Sequence, residues 1–264
     1  MRYCRFVSAE GPQFGLIEDV GGVEHITQVA ADGPIPQFSG GARRLPKILL
    51  SSVKFLEPVT PSKIVCVGRN YSEHAKELGN EVPTEPLIFL KPPTSVIGPG
   101  EKIVRPKHLS QRVDFEGELT VVIGKPCRNL RPADDVRPYI LGYTCANDVT
   151  ARDLQKKDGQ WTRGKSFDTF CPVGPLVTGE IDPWKGVRVE TRLNGQVKQS
   201  ESTTAFIFPV DVVVRFASQV MTLLPGDIIL TGTPAGIGPM VAGDEVAVSI
   251  EGIGSLTNPV VDCA

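Results

Sequence analysis

The chain has 264 residues, with 28 Lys and Arg against 30 Asp and Glu, a formal net charge of −2 and a sequence pI near 6.0. Scattered basic residues and a near-neutral balance exclude the positive field that nucleic-acid binding needs, and no apolar run reaches the roughly 18 residues of a membrane span. Six cysteines without a C-x-x-C pair fit neither a disulfide scaffold nor a zinc ribbon, and with only three histidines any metal is expected to be a hard ion held by oxygen. A charge inside Met1-Arg-Tyr-Cys-Arg-Phe6 argues against a secretory leader, so a cytoplasmic protein with buried thiols is expected.

Taken in order, residues 1–58 show short alternating segments, Tyr3-Cys-Arg-Phe-Val7, Gln13-Phe-Gly-Leu-Ile17 and Val23-Glu-His-Ile-Thr27, split by Gly and Asp turns. These predict a small β-rich N-terminal unit, and Pro58-Val-Thr-Pro-Ser62 marks its boundary with a main domain over 59–264. Lys63-Ile-Val-Cys-Val67 reads as the first buried strand of that domain. Ser72 to Leu78 predicts a short helix capped by Ser72 and stopped at Gly79. Ala133-Asp-Asp-Val-Arg-Pro138 predicts a turn of helix, and Asp211 to Leu223 carries apolar residues at helical spacing. Strands are expected at Tyr139–Thr144, Val187–Leu193, Asp227–Thr231 and Glu245–Ile250, with Asn194-Gly195 as a hairpin turn. With 23 prolines and 27 glycines, the expected fold is α+β and β-rich, a rolled or barrel-like sheet.

The chemistry centres on Val113-Asp-Phe-Glu-Gly-Glu-Leu-Thr-Val-Val-Ile-Gly124. On a strand, Glu116 and Glu118 project to one face, and two like charges entering an apolar run call for a cation between them. Asp148, in Ala146-Asn-Asp-Val-Thr-Ala-Arg-Asp153, is the natural third ligand. Solvated surface acids are the plain alternative. Asp114 and Asp153 read either as partners that orient ligands or as turn and cap residues.

Five segments carry a resemblance: Gly68-Arg-Asn-Tyr-Ser-Glu-His74, Asp114-Phe-Glu-Gly-Glu-Leu119, Asn147-Asp-Val-Thr-Ala-Arg-Asp153, Gly164-Lys-Ser-Phe-Asp-Thr169 and Ile229-Leu-Thr-Gly-Thr-Pro-Ala-Gly236. Together they resemble the fumarylacetoacetate hydrolase family over roughly residues 60–262, and in particular its short members. The resemblance implies that Glu116, Glu118 and Asp148 bind Mg²⁺, with Mn²⁺ or Ca²⁺ as substitutes. It implies catalytic roles for Lys165 and Gln155, and substrate contacts from Arg69, Tyr71, Lys91, Arg152 and Thr233. It also implies a homodimer, and a mobile lid over residues around His74.

The residue chemistry agrees with these roles but leaves alternatives open. Lys165 can donate to a developing enolate, and a nearby dication would favour its neutral form; a lone Lys is otherwise a solvated cation. Arg152 and Gln155, one helical turn apart, can receive a far carboxylate, or Arg152 can pair with Asp153 or Asp148. His74 and Glu77 sit three apart, so the carboxylate can orient the imidazole as a base; a surface ion pair has the same spacing. The turn Gly232-Thr-Pro-Ala-Gly-Ile-Gly238 lacks the order of a dinucleotide loop, and its amides are expected to hold a substrate carboxylate. His25 and His108 are read as structural.

The resulting expectation is a divalent-metal-dependent enzyme acting on a small 2-oxo or 2,4-dioxo (di)carboxylic acid through a metal-bound enolate. Hydrolysis of a C–C bond or decarboxylation comes first, with keto–enol tautomerisation or isomerisation as the alternative. A catalytically silent ligand-binding protein is the third reading.

Overall fold

The computed structural model describes residues 1–38 and 43–263; residues 39–42 of the expected N-terminal unit and Ala264 of the main domain lie outside them. The N-terminal strands are β1 (Arg2–Ser8), β2 (Gly11–Asp19), β3 (Glu24–Ala31), β4 (Arg43–Leu49) and β5 (Phe55–Leu56). Next come β6 (Ile64–Gly68), α1 (Ser72–Glu77), β7 (Leu87–Lys91), β8 (Val96–Ile97), β9 (Ile103–Arg105), β10 (Val113–Phe115) and β11 (Gly117–Ile123). The middle holds β12 (Ile140–Asn147), β13 (Thr150–Ala151), α2 (Arg152–Asp158), α3 (Thr162–Lys165) and β14 (Cys171–Thr178). The chain closes with β15 (Arg188–Leu193), β16 (Gln196–Ser202), α4 (Val210–Val220), β17 (Ile228–Leu230), β18 (Gly238–Pro239), β19 (Glu245–Ile250) and β20 (Gly254–Asp262).

The strands form three sheets. The largest runs β4-β3-β2-β1-β14-β12-β11-β17-β6-β7, with β5 added on β1 and β8 on β14. The others run β13-β10-β18 and β16-β15-β19-β20-β9. The fold is thus α+β and β-rich, as expected, but among the described residues the large sheet is open: its path ends at β4 and β7, which do not pair, so no barrel closes. The N-terminal strands continue this sheet through Arg2↔Thr178 and Tyr3↔Val177 between β1 and β14.

The apolar run after Glu118 explains the centre of the fold. Every residue of β11 is buried, which is what a strand covered on both faces requires. It pairs with β12 from Gly117↔Asn147 onward and with β17 through Thr120↔Leu230. Gly117 is needed where β11 crosses β15, because a Cβ there would lie 2.0 Å from Thr191 Oγ1. Leu119, Val121 and Ile123 join Val189 and Val248 in the main core.

Two local expectations change. Tyr71, not Ser72, is the residue preceding α1, and no side chain caps the helix; Gly79 ends it with a φ of +69°. Helix is absent from Ala133 to Val136, and a single 3-10 turn forms at Arg137–Tyr139, because Pro138 is tolerated only in a first turn. The Asn194-Gly195 turn joins β15 to β16 with both residues at positive φ, 51° and 77°, the hairpin geometry that pair favours. Among the described residues, no helix is long and apolar enough to cross a membrane.

Candidate active site and metal centre

Glu116 occupies the break between β10 and β11, and that break aims the acids. Its amide donates to Asn147 Oδ1 at 2.9 Å, and its carbonyl accepts from the Asp148 amide at 2.8 Å. Glu118, two residues on, pairs across to Ala146. The end of β12 and the start of β11 therefore deliver Glu116, Glu118 and Asp148 to one point, each offering a carboxylate oxygen within 4.8 Å of the others. All three are buried, with exposures of 4%, 1% and 1%.

Three bases converge on them. Lys165 Nζ donates to Glu116 Oε2 at 2.9 Å and to Asp148 Oδ2 at 2.6 Å. Lys91 Nζ donates to Asp148 Oδ1 at 2.6 Å. Arg152 donates through Nε to Asp114 Oδ2 at 2.9 Å, through Nη2 to Glu116 Oε1, and through Nη1 to Gln155 Oε1 at 2.6 Å. Arg152 thus pairs with Asp114 and Glu116, not with Asp153 or Asp148. Asp153 is a turn residue, bonded to Ser110 Oγ and the Gln111 amide.

The two glutamates differ sharply. Burial pushes the Glu116 carboxyl up, but the charges of Lys165 and Arg152 outweigh it and hold the group well below the carboxylate range. Among the described residues Glu118 accepts only the Gly232 amide, at 2.5 Å; burial, Asp148 and Glu116 push it well above that range. Burial alone would lower Lys165, but Asp148 and Glu116 outweigh it and raise it.

Four acids, counting Asp114, face four bases, Lys91, Arg112, Arg152 and Lys165, yet no side-chain cation forms an ion pair with Glu118 among the described residues. An all-oxygen donor set with one unmatched carboxylate fits a divalent cation.

These acids form the floor of a cavity of about 240 Å³ that is also lined by Arg69, His74, Arg152, Gln155, Lys165 and Thr233, a small volume for a ligand site. His74, buried on α1, donates Nδ1–H to Glu77 Oε2 at 3.1 Å, while Glu77 Oε1 accepts the Gly236 amide at 3.1 Å. The amides of Gly232 and Gly236 thus serve Glu118 and Glu77, where a substrate carboxylate was expected. Thr233 Oγ1 donates to Gly117 O at 2.9 Å and accepts from Gln199 Nε2 at 2.7 Å.

Two expected substrate contacts are placed elsewhere. Tyr71 packs on Phe206, ring centroids 5.0 Å apart, and lines a neighbouring cleft. Lys91 is sealed beneath Asp148 and does not line the cavity. Sequence reasoning missed Asn147, Gln199, Phe89, Lys156 and Trp161. Asn147 lies next to Asp148 in the segment Asn147-Asp-Val-Thr-Ala-Arg-Asp153; Gln199 comes from β16, 82 residues from the Gly117 amide it accepts at 3.0 Å, with no local signal.

Comparison with known proteins places this geometry. Residues 63–261 match the fumarylacetoacetate (FAA) hydrolase C-terminal family. A mitochondrial oxaloacetate tautomerase of Homo sapiens is 46% identical over 233 residues, 83% of this chain and 73% of that protein. The crystal structure of 5-carboxymethyl-2-hydroxymuconate delta-isomerase from Mycobacterium smegmatis superposes with a TM-score of 0.87 at 44% identity, covering 100% of both chains. Fumarylpyruvate hydrolase from Pseudomonas aeruginosa, solved with Mn²⁺ and pyruvate, gives a TM-score of 0.72 at 30% identity, over 80% of this chain and 92% of that one. With the acidic triad, the pairing of His74 with Glu77 and five motifs in order, the match over 63–261 means that the chain belongs to the fumarylacetoacetate hydrolase family.

Proposed function

We propose that the protein is a divalent-metal-dependent enzyme that moves a proton at the carbon beside the keto group of a small 2-oxo acid, tautomerising or isomerising it. The observation that carries this reading is the meeting, in one cavity, of the buried acidic triad, Lys165 and the His74–Glu77 pair. Its ranking above C–C cleavage rests on the higher identity to a tautomerase and an isomerase than to a hydrolase. Mg²⁺, or Mn²⁺ or Ca²⁺ in its place, held by Glu116, Glu118 and Asp148, would supply Lewis acidity toward the 2-oxo carboxylate.

The chain's own groups account for the rest. His74 gives Nδ1–H to Glu77, which leaves Nε2 as the acceptor for a substrate proton. The charged Lys165 ammonium donates to the oxygen on which negative charge develops. Gln155, held by Arg152 through its carbonyl oxygen, keeps its amide N–H groups for the substrate. Burial of the floor keeps bulk water from the reacting carbon. Six free thiols, five of them buried, support a reducing, cytoplasmic setting. Leu87 and Leu90, exposed on the edge strand β7, support a homodimer, which light scattering tests.

A second reading, hydrolysis or decarboxylation, is favoured by the same His74–Glu77 pair, because a base positioned that way can equally take a proton from water. Incubation with oxaloacetate and with acetylpyruvate separates the two. The proposed activity removes enol absorbance without pyruvate release; pyruvate appearing in step with substrate loss would establish cleavage instead. If Lys165→Ala and His74→Ala left every turnover unchanged, the protein would be a silent binder.

A further inference from the structure

The cations lining the cavity fall into two groups. Arg152 and Lys165 are buried and engaged with the acids of the floor. Arg69 and Lys156 line the same cavity and form no ion pair among the described residues. Arg69 is half-buried and Lys156, on α2, is exposed, so they stand toward the mouth.

Arg69 is not a loosely tethered surface cation. Its backbone adopts a φ of +59°, a left-handed conformation that a non-glycine residue holds only where its surroundings impose it. Its guanidinium lies over the Trp161 indole, 5.8 Å from the ring centroid, a cation–π contact. Trp161 is wedged in turn. A Cβ at Gly68 would come within 2.6 Å of its ring, and Phe89 meets it edge-on at 5.1 Å and 75°. A cation fixed on a rigid aromatic support, with a second cation beside the same opening and no protein anion for either, is arranged for a charge that arrives from outside.

We propose that Arg69 and Lys156 receive a second anionic group at the far end of the substrate, with Trp161 as the positioning residue for Arg69, so that the site selects 2-oxo dicarboxylates over 2-oxo monocarboxylates. The inference rests on the reading that a 2-oxo acid is held at the acidic floor. It moves the far-carboxylate contact away from Arg152 and Gln155, where their spacing suggested it, because Arg152 Nε, Nη1 and Nη2 are taken by Asp114, Gln155 and Glu116.

The test is calorimetric titration of the Mg²⁺-loaded protein with 2-oxoglutarate and with 2-oxopentanoate, which share a five-carbon chain and differ in the terminal carboxylate. The unaltered protein is expected to bind 2-oxoglutarate about tenfold more tightly or better. Lys156→Gln and Arg69→Gln should each cut that ratio about fivefold, chiefly through 2-oxoglutarate, and Lys156→Gln at an exposed site leaves the fold intact. Trp161→Leu should reduce the ratio as Arg69→Gln does, and Trp161→Phe, which keeps a ring, should restore most of it. A ratio near one in the unaltered protein, or variants that weaken both ligands equally, overturns the inference while the 2-oxo acid reading stands. Failure of the unaltered protein to bind either acid overturns both.

Discussion

Glu116 accepts from Lys165, Arg152 and Thr150, whereas among the described residues Glu118 accepts only from a backbone amide. Removing one partner of a buried charge cluster leaves the others uncompensated, at a cost of about 3–5 kcal/mol. Glu116→Gln should therefore destabilise the metal-free protein by about 3 kcal/mol, the low end of that range, because the amide oxygen still accepts one bond. Glu118→Gln removes repulsion from Asp148 and Glu116 and keeps an acceptor for Gly232, so its metal-free stability should be unchanged or higher by about 1 kcal/mol. Urea unfolding in EDTA reads the difference, and calorimetry with Mg²⁺ should show both variants losing the ion and turnover together. Equal stability loss in the two would contradict the charge arrangement described. The E-x-E pair and Asp148 were legible in the sequence because strand alternation and a contiguous motif fix them locally. Lys156, Trp161 and Gln199 were not, since what makes them matter is a contact with a distant segment: Trp161 with Gly68 and Phe89, Gln199 with Gly117.

At six residues α1 is too short to persist by itself, and Glu77 ties it down at both ends of one carboxylate, to His74 and to Gly236. Glu77→Ala should speed amide exchange across 72–78 and lower turnover about 100-fold or more. Glu77→Gln can still accept from Gly236 while losing the charge behind the imidazole, so it should lower turnover with much less change in exchange. Helix α4 carries a separate test. Burial pushes Asp211 up, but the Trp184 indole N–H at 2.9 Å and the Arg215 guanidinium at 2.7 Å outweigh it and hold the carboxyl below its ordinary range. A depressed folded value means that the stabilisation is present above the unfolded pKa of about 3.9 and is lost as pH falls through the lower folded one. Asp211→Asn should cost about 1 kcal/mol at pH 7, and thermal unfolding should show the deficit closing in acid. Apolar periodicity made α4, β17 and β19 legible, and Asn-Gly made the β15–β16 turn legible. The same signal could not delimit α2, where Arg152-Asp-Leu-Gln-Lys-Lys-Asp158 has one apolar residue and the helix forms because Arg152 and Leu154 pack inward.

Across the whole molecule, the strands before residue 58 and those after it share one sheet and one interior. Tyr3 and Phe14 pack with Val122, Val173 and Val177, and Cys4, Phe6, Ile17 and Ile26 belong to the core that holds Val121, Tyr143 and Leu176. Arg5 reaches Asp32 at 2.8 Å and Glu57 at 2.7 Å, both within the same segment, so this buried charge is settled internally while the apolar side chains of the N-terminal strands are not. A chain restricted to 59–264 would expose the β14 edge and the partners of six fully or nearly buried side chains. Each such side chain stabilises by roughly 1.5–3 kcal/mol for the larger ones, and their sum rivals the 5–15 kcal/mol net stability of a typical domain. The separate folding of a 59–264 unit is therefore not expected, although every residue of the acidic triad lies within it. The truncated chain should show no cooperative thermal transition, little near-ultraviolet circular dichroism and no Mg²⁺ binding, and adding residues 1–58 as a separate chain should recover part of all three. A sharp transition with intact Mg²⁺ binding in 59–264 alone would mean that the acidic floor is built without the N-terminal half of the sheet, and the energetic coupling argued from the shared core would fall.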